Sequence, residues 1–348
     1  MARLKNSMGI WMAGANATRF MPDGYHVEVV EETMPERFKR IADGVGDLLD
    51  GFEGHYPGEI NEDNLKDVKA AIGNKDIYAI ALGTFSIPEL SLGAMMNPDP
   101  KLREYARELT HKAIDIAAEL GSKFIIWPGN DGYNYPNQAD YSTIWKWFLE
   151  GIADAAEYCN SKGVPLLLED KNSEPKMRIL LNNQAVCILV IKKLREMGID
   201  TTNIKVNMDW QHLIMRGENL PQWAAMLADE GMLGHQHANS GWGLTDDDNI
   251  VGASYLEQTI GICIELQLKG YGSNGERIGY DLFPYTEDQV RAAKMCIRNF
   301  DHIWSLAEKI TDKNGPFYEP YMNARMKLDA MGVLEIVNHV LIGLPMEK

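Results

Sequence analysis

Residues 155–171 read AAEYCNSKGVPLLLEDK, and they contain one step of the fold. The first seven close a helical pattern that covers residues 142–161. Lys162-Gly163 stops it, because glycine takes the left-handed conformation at a helix end without a Cβ clash. Residues 165–171 then form a short run that is apolar without alternation and turns abruptly charged at Glu169 and Lys171. A run of that kind suits a strand of a parallel sheet covered on both faces.

Outward from this step the same unit recurs. Apolar runs that read as strands cover residues 7–12, 48–55, 77–85, 123–128, 165–171, 204–209, 232–239 and 278–283. Between them lie helical patterns, the longest at 102–120, closed by Gly121, at 142–161 and at 288–310. Eight strands with helices between them predict an α/β protein, a closed parallel (β/α)8 TIM barrel, ahead of a doubly wound open sheet. No GxGxxG follows a strand and no Walker loop is present, which argues against a nucleotide fold. The reading is a single barrel domain over residues 1–348, with a short C-terminal helical extension from about residue 312.

Composition narrows the partners. The 348 residues include 50 acidic and 34 basic side chains, a formal charge of −16. That sign repels nucleic acid and anionic membrane surfaces, so neither is expected as a partner. No apolar stretch reaches the ~20 residues needed to span a bilayer. The first residues carry no secretory h-region. Cys159, Cys187, Cys263 and Cys296 are far apart and form no CxxC pair, as expected of buried thiols in a reducing compartment. A cytoplasmic location is expected.

A barrel carries its chemistry at the C-terminal ends of its strands. Here four successive expected strands end in polar groups. LLLEDK supplies Glu169 and Lys171, and VNMDWQH supplies Asp209 and His212. GHQHAN supplies His235, His237 and Asn239, and GYDLF supplies Asp281. Asp246, Asp247 and Asp248 follow strand seven in a loop. Each has a plain structural alternative. A lone carboxylate after a strand is commonly a helix N-cap, a histidine in an apolar strand is commonly a core residue, and an aspartate run is commonly a solvated loop. The coincidence on four consecutive strands is what points to one site. Residues two apart on a strand share a face, which pairs Glu169 with Lys171 and His235 with His237. Oxygen-rich donors with a few imidazoles suit Mg²⁺, Mn²⁺ or Co²⁺ rather than a thiolate zinc site.

The order E-x-K, D-x-x-H, H-x-N, an aspartate-rich loop and YDLFPYTED resembles the xylose isomerase-like barrels over nearly the whole chain. GIW at Trp11, GFEGHYP at His55, GTF at Phe85 and IWPGNDGY at Trp127 are similar to stations of the same family. In detail the pattern is closer to L-rhamnose isomerases, with His237 where xylose isomerases have an aspartate and with DDDxxxG after H-x-N. The resemblance implies two divalent cations, Mn²⁺ first with Mg²⁺ or Co²⁺ as alternatives. Glu169, Asp209, His237 and Asp281 would hold one. His212, Asp246 and Asp248 would hold the other, with Asp209 bridging; alternation along the loop favours the outer two aspartates of the three. The spacing from His237 to the aspartates is longer than the family pattern, and the extended C-terminal arm of xylose isomerases is missing, so the substrate can differ.

The implied activity is aldose–ketose isomerisation of a small unphosphorylated sugar by metal-assisted hydride shift, in a homo-oligomer (dimer or tetramer). The implied roles are charge stabilisation by Lys171, proton handling around Asp209 and His212, ring opening by His55, and substrate contacts from Trp11, Phe85, Trp127 and Asn239. Two alternatives on the same barrel are a single-metal epimerase working through an enediol and a lyase or dehydratase acting on an oxidised sugar or C-glycoside. A non-catalytic binding protein would not need so many convergent polar strand ends.

Overall fold

The computed structural model describes residues 3–346. Eight parallel strands close on themselves: β1 (Asn6–Gly9), β2 (Gly51–Tyr56), β3 (Asp76–Leu82), β4 (Lys123–Ile126), β5 (Leu166–Glu169), β6 (Ile204–Asp209), β7 (Leu233–Ala238) and β8 (Ile278–Tyr280), with β8 paired back to β1. Each overlaps one of the eight runs expected from sequence, with β1, β2 and β3 reaching one residue outside their runs and several strands stopping short of the expected ends. The chain leaves the ladder where it turns into the loops of the mouth. Residues 10–12 and 84–85, expected as strand, lie in the 3-10 turns Ile10–Ala13 and Thr84–Ser86, and Lys171 lies beyond the end of β5. A small antiparallel ribbon of Gly132–Tyr133 and Arg178–Ile179 bridges the loops after β4 and β5. Two-residue strands carry no periodicity to read, so this ribbon is absent from the sequence expectation.

The long helices follow their capping chemistry. Helix α1 (Pro100–Leu120) starts at Asp99, whose side chain accepts from the Lys101 amide, and ends on left-handed Gly121. Helix α2 (Tyr141–Lys162) starts at Asp140 and ends on Gly163, and α3 (Gln289–Thr311) starts at Asp288. After α3, the helices Tyr318–Met326 and Ala330–Ile342 occupy the expected C-terminal extension. The four cysteines are buried, unpaired thiols within helices. Among the described residues no helix is long and apolar enough to cross a membrane.

The two-residue period of the strands divides the molecule. Leu166 and Leu168, Val206 and Met208, and Ile278 and Tyr280 face outward into the main apolar core between strands and helices. A much smaller apolar cluster, Tyr78, Ala79, Ala81, Ile125 and Leu167, fills part of the barrel interior. Other inward positions are polar: Glu53, Asn207, Asp209, His235 and His237 are all buried. Register shifts at Phe52/Glu53 and at Val206/Asn207 lie within this polar part, and such bulges re-aim side chains beside functional sites.

Candidate active site

The C-terminal mouth of the barrel opens into a cavity of about 390 Å³. Its lining includes Trp11, His55, Phe85, Trp127, Glu169, Lys171, His212, His237, Asp246, Asp248 and Asp281. One ligand atom from each of Glu169, Asp209, His237 and Asp281 lies within 4.8 Å of the others. The quartet comes from four consecutive strands because Glu169, Asp209 and His237 are inward positions at strand ends and Asp281 directly follows β8.

Both histidines of the quartet's surroundings, His212 and His237, have one nitrogen committed. His212 Nδ1 lies 2.6 Å from the Asp170 carbonyl oxygen, which can only accept, so Nδ1 carries the hydrogen. Its Nε2 faces Asp246 Oδ1 at 3.3 Å. His237 Nε2 lies 3.0 Å from Glu53 Oε2, while its Nδ1 is 3.3 Å from Glu169 Oε2, buried and without a hydrogen bond. Asp246 Oδ1 is likewise buried without a hydrogen bond. Lys171 Nζ donates to Asp246 Oδ2 and sits 5.2 Å from the Trp127 ring centre.

The charges do not balance within the protein. Glu169, Asp209, Asp246, Asp248 and Asp281 share the mouth with one permanent cation among the described lining residues, Lys171. Burial pushes Asp281 up to about 7, with Asp209 and Glu169 adding to it against the pull of His237. Burial also raises Asp209, and raises Asp248 strongly, where Asp246 and Asp281 add to it. Burial works against ionisation of Glu169 and Asp246 too, but it is outweighed by His237 and His212 at Glu169 and by Lys171 and His212 at Asp246, so both lie below the usual carboxylate range. Carboxylates this close cannot all ionise without added positive charge. The oxygen-rich donor set and the orphaned His237 Nδ1 fit a divalent cation. Glu169, Asp209, His237 Nδ1 and Asp281 are the residues that would hold it.

The second expected set is arranged differently. His212 and Asp246 are paired, but Asp248 Oδ1 accepts from Asn239 Nδ2 at 3.0 Å. Among the described residues this trio does not gather as the quartet does. Asp247 turns away from the cavity and accepts from the Trp242 amide at 2.6 Å and from the Thr245 hydroxyl at 2.6 Å. The outer two aspartates of the run are therefore the ones that reach the mouth.

Of the expected substrate contacts, three form a wall. Trp11 packs on His55 (ring centres 4.5 Å), His55 on Phe85 (5.2 Å) and Phe85 on Trp127 (4.6 Å). Trp11 also donates its indole N–H to Asp281 Oδ1 at 2.6 Å. Gly9 permits that pose, since a Cβ there would stand 2.1 Å from the Trp11 ring. His55 Nδ1 is held by Glu59 Oε2 at 3.1 Å, which leaves Nε2 for the cavity. Asn239 stands behind the wall of carboxylates rather than in the cavity. Its amide contacts Asp209 and Asp248, and its Oδ1 accepts from the Gln211 backbone N–H.

Sequence reading missed Glu53, Glu59, the Asp170 carbonyl and the link from Trp11 to Asp281. One signal existed for Glu53: a charge in the otherwise apolar run GFEGHY, two positions before His55. The others depend on contacts between distant segments.

A closed parallel barrel with buried carboxylates and imidazoles gathered at its C-terminal mouth defines a class, the (β/α)8 proteins that carry their polar site at the C-terminal ends of the strands. Residues 42–287, well over half of the chain, match the xylose isomerase-like TIM barrel family, and the chain belongs to it. It is similar to xylose isomerase of Thermus thermophilus, 26% identical over 226 residues that make up 64% of this chain and 57% of that protein. It is also similar to xylose isomerase of Ruegeria pomeroyi, 29% identical over 167 residues, 45% of this chain and 37% of that one. The match thus spans little more than half the length of the first of these relatives. Among solved structures, an L-ribulose 3-epimerase superposes with a TM-score of 0.66 at 18% identity, covering 91% of this chain and 100% of that one. A 3-keto-D-glucoside 4-epimerase from E. coli gives 0.62 at 18% identity, covering 86% of this chain and 99% of that one. At these identities the likeness is one of fold.

Proposed function

We propose that the protein is a divalent-metal-dependent sugar isomerase that interconverts the aldose and ketose forms of a small unphosphorylated sugar by hydride shift. The observation that carries this reading is the position of Lys171, buried beside the carboxylate quartet and paired with Asp246 in the same cavity. An epimerase of this barrel would use His212 to bind substrate and would leave Lys171 and the Asp246–Asp248 run without a task. When bound, divalent cations at the mouth supply Lewis-acid polarisation of the substrate carbonyl.

The chain's own groups then have distinct tasks. Lys171 keeps its ammonium because Asp246 beside it outweighs the cost of burial, and it donates a hydrogen bond to the oxygen on which negative charge develops. Asp246, held ionised by Lys171 and His212, keeps both groups at the cavity, and the hydroxyl proton is handled around Asp209 and His212. His55, its Nδ1 fixed by Glu59, presents Nε2 to the ring oxygen of the closed sugar and moves a proton during opening. Trp11, Phe85 and Trp127 keep water from the carbons between which hydrogen moves. The acidic shell and the lack of a basic cluster among the described lining residues suit an uncharged sugar.

A second reading, a single-cation epimerase working through an enediol, is favoured by one observation. Of the two expected donor sets only the quartet is gathered, and the trio of His212, Asp246 and Asp248 is not. Two measurements separate the readings. Chelator-stripped protein is titrated with Mn²⁺, wild type against the Asp246→Ala/Asp248→Ala double variant. Two ions falling to one supports the isomerase, and one ion in both supports the epimerase. Turnover of free aldoses and ketoses in D₂O then reads the hydrogen path. A hydride shift retains the carbon-bound hydrogen, and an enediol exchanges it for deuterium.

A further inference from the structure

We propose that Glu53, inside the barrel and one layer below the mouth, is a positioning residue that fixes the tautomer and ring orientation of His237. This rests on the reading of His237 as a metal ligand. Glu53 is fully buried, and its two oxygens accept three hydrogen bonds. Ser7 Oγ reaches Oε1 at 2.6 Å, His235 Nε2 reaches Oε1 at 2.9 Å, and His237 Nε2 reaches Oε2 at 3.0 Å.

An ionised carboxylate only accepts, so it demands an Nε2–H from both rings. His237 is thereby left with its lone pair on Nδ1, the atom that faces Glu169, Asp209 and Asp281. A carboxylate behind a ligating imidazole orients the ring and raises its basicity. A buried carboxylate is costly to place in a core for stability alone, and here it occupies an inward position of the kind that other barrel strands fill with Ala81, Ile125 and Leu167.

Two further features belong to the same device. The β2–β3 register shifts between Phe52 and Glu53, at the residue that must reach the histidines. Gly279, inward on β8 and next to the histidines' own strand, leaves room for the group. A Cβ there would stand 2.5 Å from Glu53 Oε1, 2.6 Å from His235 Nε2 and 3.0 Å from His237 Cδ2. His235 serves as the second donor that keeps Glu53 satisfied. Its Nδ1 is buried without a hydrogen-bond partner and stands outside the carboxylate quartet.

The test is a Mn²⁺ titration of chelator-stripped wild type, Glu53→Gln and Ser7→Ala, with a thermal melt of each cation-free protein. Histidine ¹⁵N shifts are recorded for the Mg²⁺-loaded forms. The side-chain amide introduced by Glu53→Gln would present an NH₂ to one ring and force it toward the Nδ1–H tautomer. The expected result is Mn²⁺ affinity about 10–100-fold weaker, an unlowered cation-free melting temperature, and His237 signals shifted from the Nε2–H form. Ser7→Ala should move affinity in the same direction by less, and it decides the question if Glu53→Gln does not fold. Unchanged affinity with a lowered cation-free melting temperature would mean a purely structural Glu53 and overturn the proposal. Loss of one bound ion at unchanged affinity for the rest would overturn it too, by placing a cation within the Glu53–His235–His237 group. A wild type that binds no Mn²⁺ overturns the metal reading of the cavity first, and this inference with it.

Discussion

The two halves of the mouth differ in what holds them. Glu169, Asp209, His237 and Asp281 stand on, or directly after, β5, β6, β7 and β8, and their donors already lie within 4.8 Å of one another. Asp246 and Asp248 hang in the loop between Ser240 and Asn249, which two backbone hydrogen bonds pinch shut at 3.0 and 2.7 Å. There the carboxylates are turned onto protein partners, Asp246 onto Lys171 and His212, Asp248 onto Asn239. A ladder of parallel strands fixes side chains to within a fraction of an ångström, whereas a loop keeps its geometry only through its own contacts. The strand-borne half therefore has its donors gathered in advance, and the proposed second set in the loop would have to exchange protein partners to gather in the same way.

The largest test of that contrast is Asp209→Asn. Asp209 also caps the short helix Trp210–Ile214 by accepting from the His212 amide at 3.1 Å, a task asparagine performs equally well. The substitution thus removes charge and keeps the cap, losing one of the two contacts from Asn239 Nδ2. Loss of one buried charged partner costs about 3–4 kcal/mol, two to three decades of Mn²⁺ affinity at about 1.4 kcal/mol each. The cation-free protein should melt no lower, because a crowded buried carboxylate is gone. A calorimetric Kd for Mn²⁺ no weaker than that of Asp248→Asn would break the comparison.

Lys171→Met comes next and asks whether the loop-borne half shares in the chemistry. Removing one donor to a developing oxyanion lowers kcat by about 10²–10³-fold. KM and the binding of ions by the strand-borne quartet should change little, since Lys171 contacts Asp246 and not the quartet. If kcat is kept and only KM rises, Lys171 is a binding residue and the hydride-shift reading loses its main support.

Much of this was legible in the sequence, for a reason that the strands make plain. A period of two and a chemical change at the end of an apolar run locate an inward residue at the mouth, so Glu169, Lys171, Asp209, His237 and Asp281 could be read one strand at a time. All eight barrel strands are found in this way. The contacts behind these residues are not. That Glu53 meets His235 and His237, 182 and 184 residues away, depends on barrel closure and on a register shift that no local pattern announces. Asn239 shows the opposite failure: its place in H-x-N suggests the cavity, while its side chain is turned behind Asp209 and Asp248.

Asp131 offers a control of intermediate size, a buried carboxylate stabilised by backbone amides instead of a cation. Its Oδ1 accepts from the Ala94 and Met96 amides, each at 2.9 Å, and burial pushes it up to about 6 despite them. A carboxyl that holds its proton more tightly when folded contributes stability below its unfolded pKa and loses it as pH rises through the folded value. Stability should therefore fall between about pH 4 and pH 6, by up to about 3 kcal/mol, and Asp131→Asn should flatten that part of the profile. Denaturant melts across this range, with and without Mg²⁺, check it. The slope should persist when the cation is present, since Asp131 does not line the cavity. A slope abolished by Mg²⁺ would assign it to the mouth.

The smallest effect isolates the loop itself. Asp247 lies between the two aspartates that reach the cavity, yet it faces the other way and holds the turn through the Trp242 amide, the Thr245 hydroxyl and, at 3.4 Å, Gln211 Nε2. Asp247→Ala removes these contacts at a cost of about 1–2 kcal/mol, felt within the loop because its ends are tied separately at Ser240 and Asn249. Hydrogen exchange should quicken at residues 241–248 while the barrel strands stay protected. The weaker Mn²⁺ step should lose about tenfold in affinity, the equivalent of about 1.4 kcal/mol, and the tighter step should not move. Equal losses in both steps would mean that the strand-borne quartet leans on the loop after all, and that the mouth is one site rather than a rigid half beside an adjustable one.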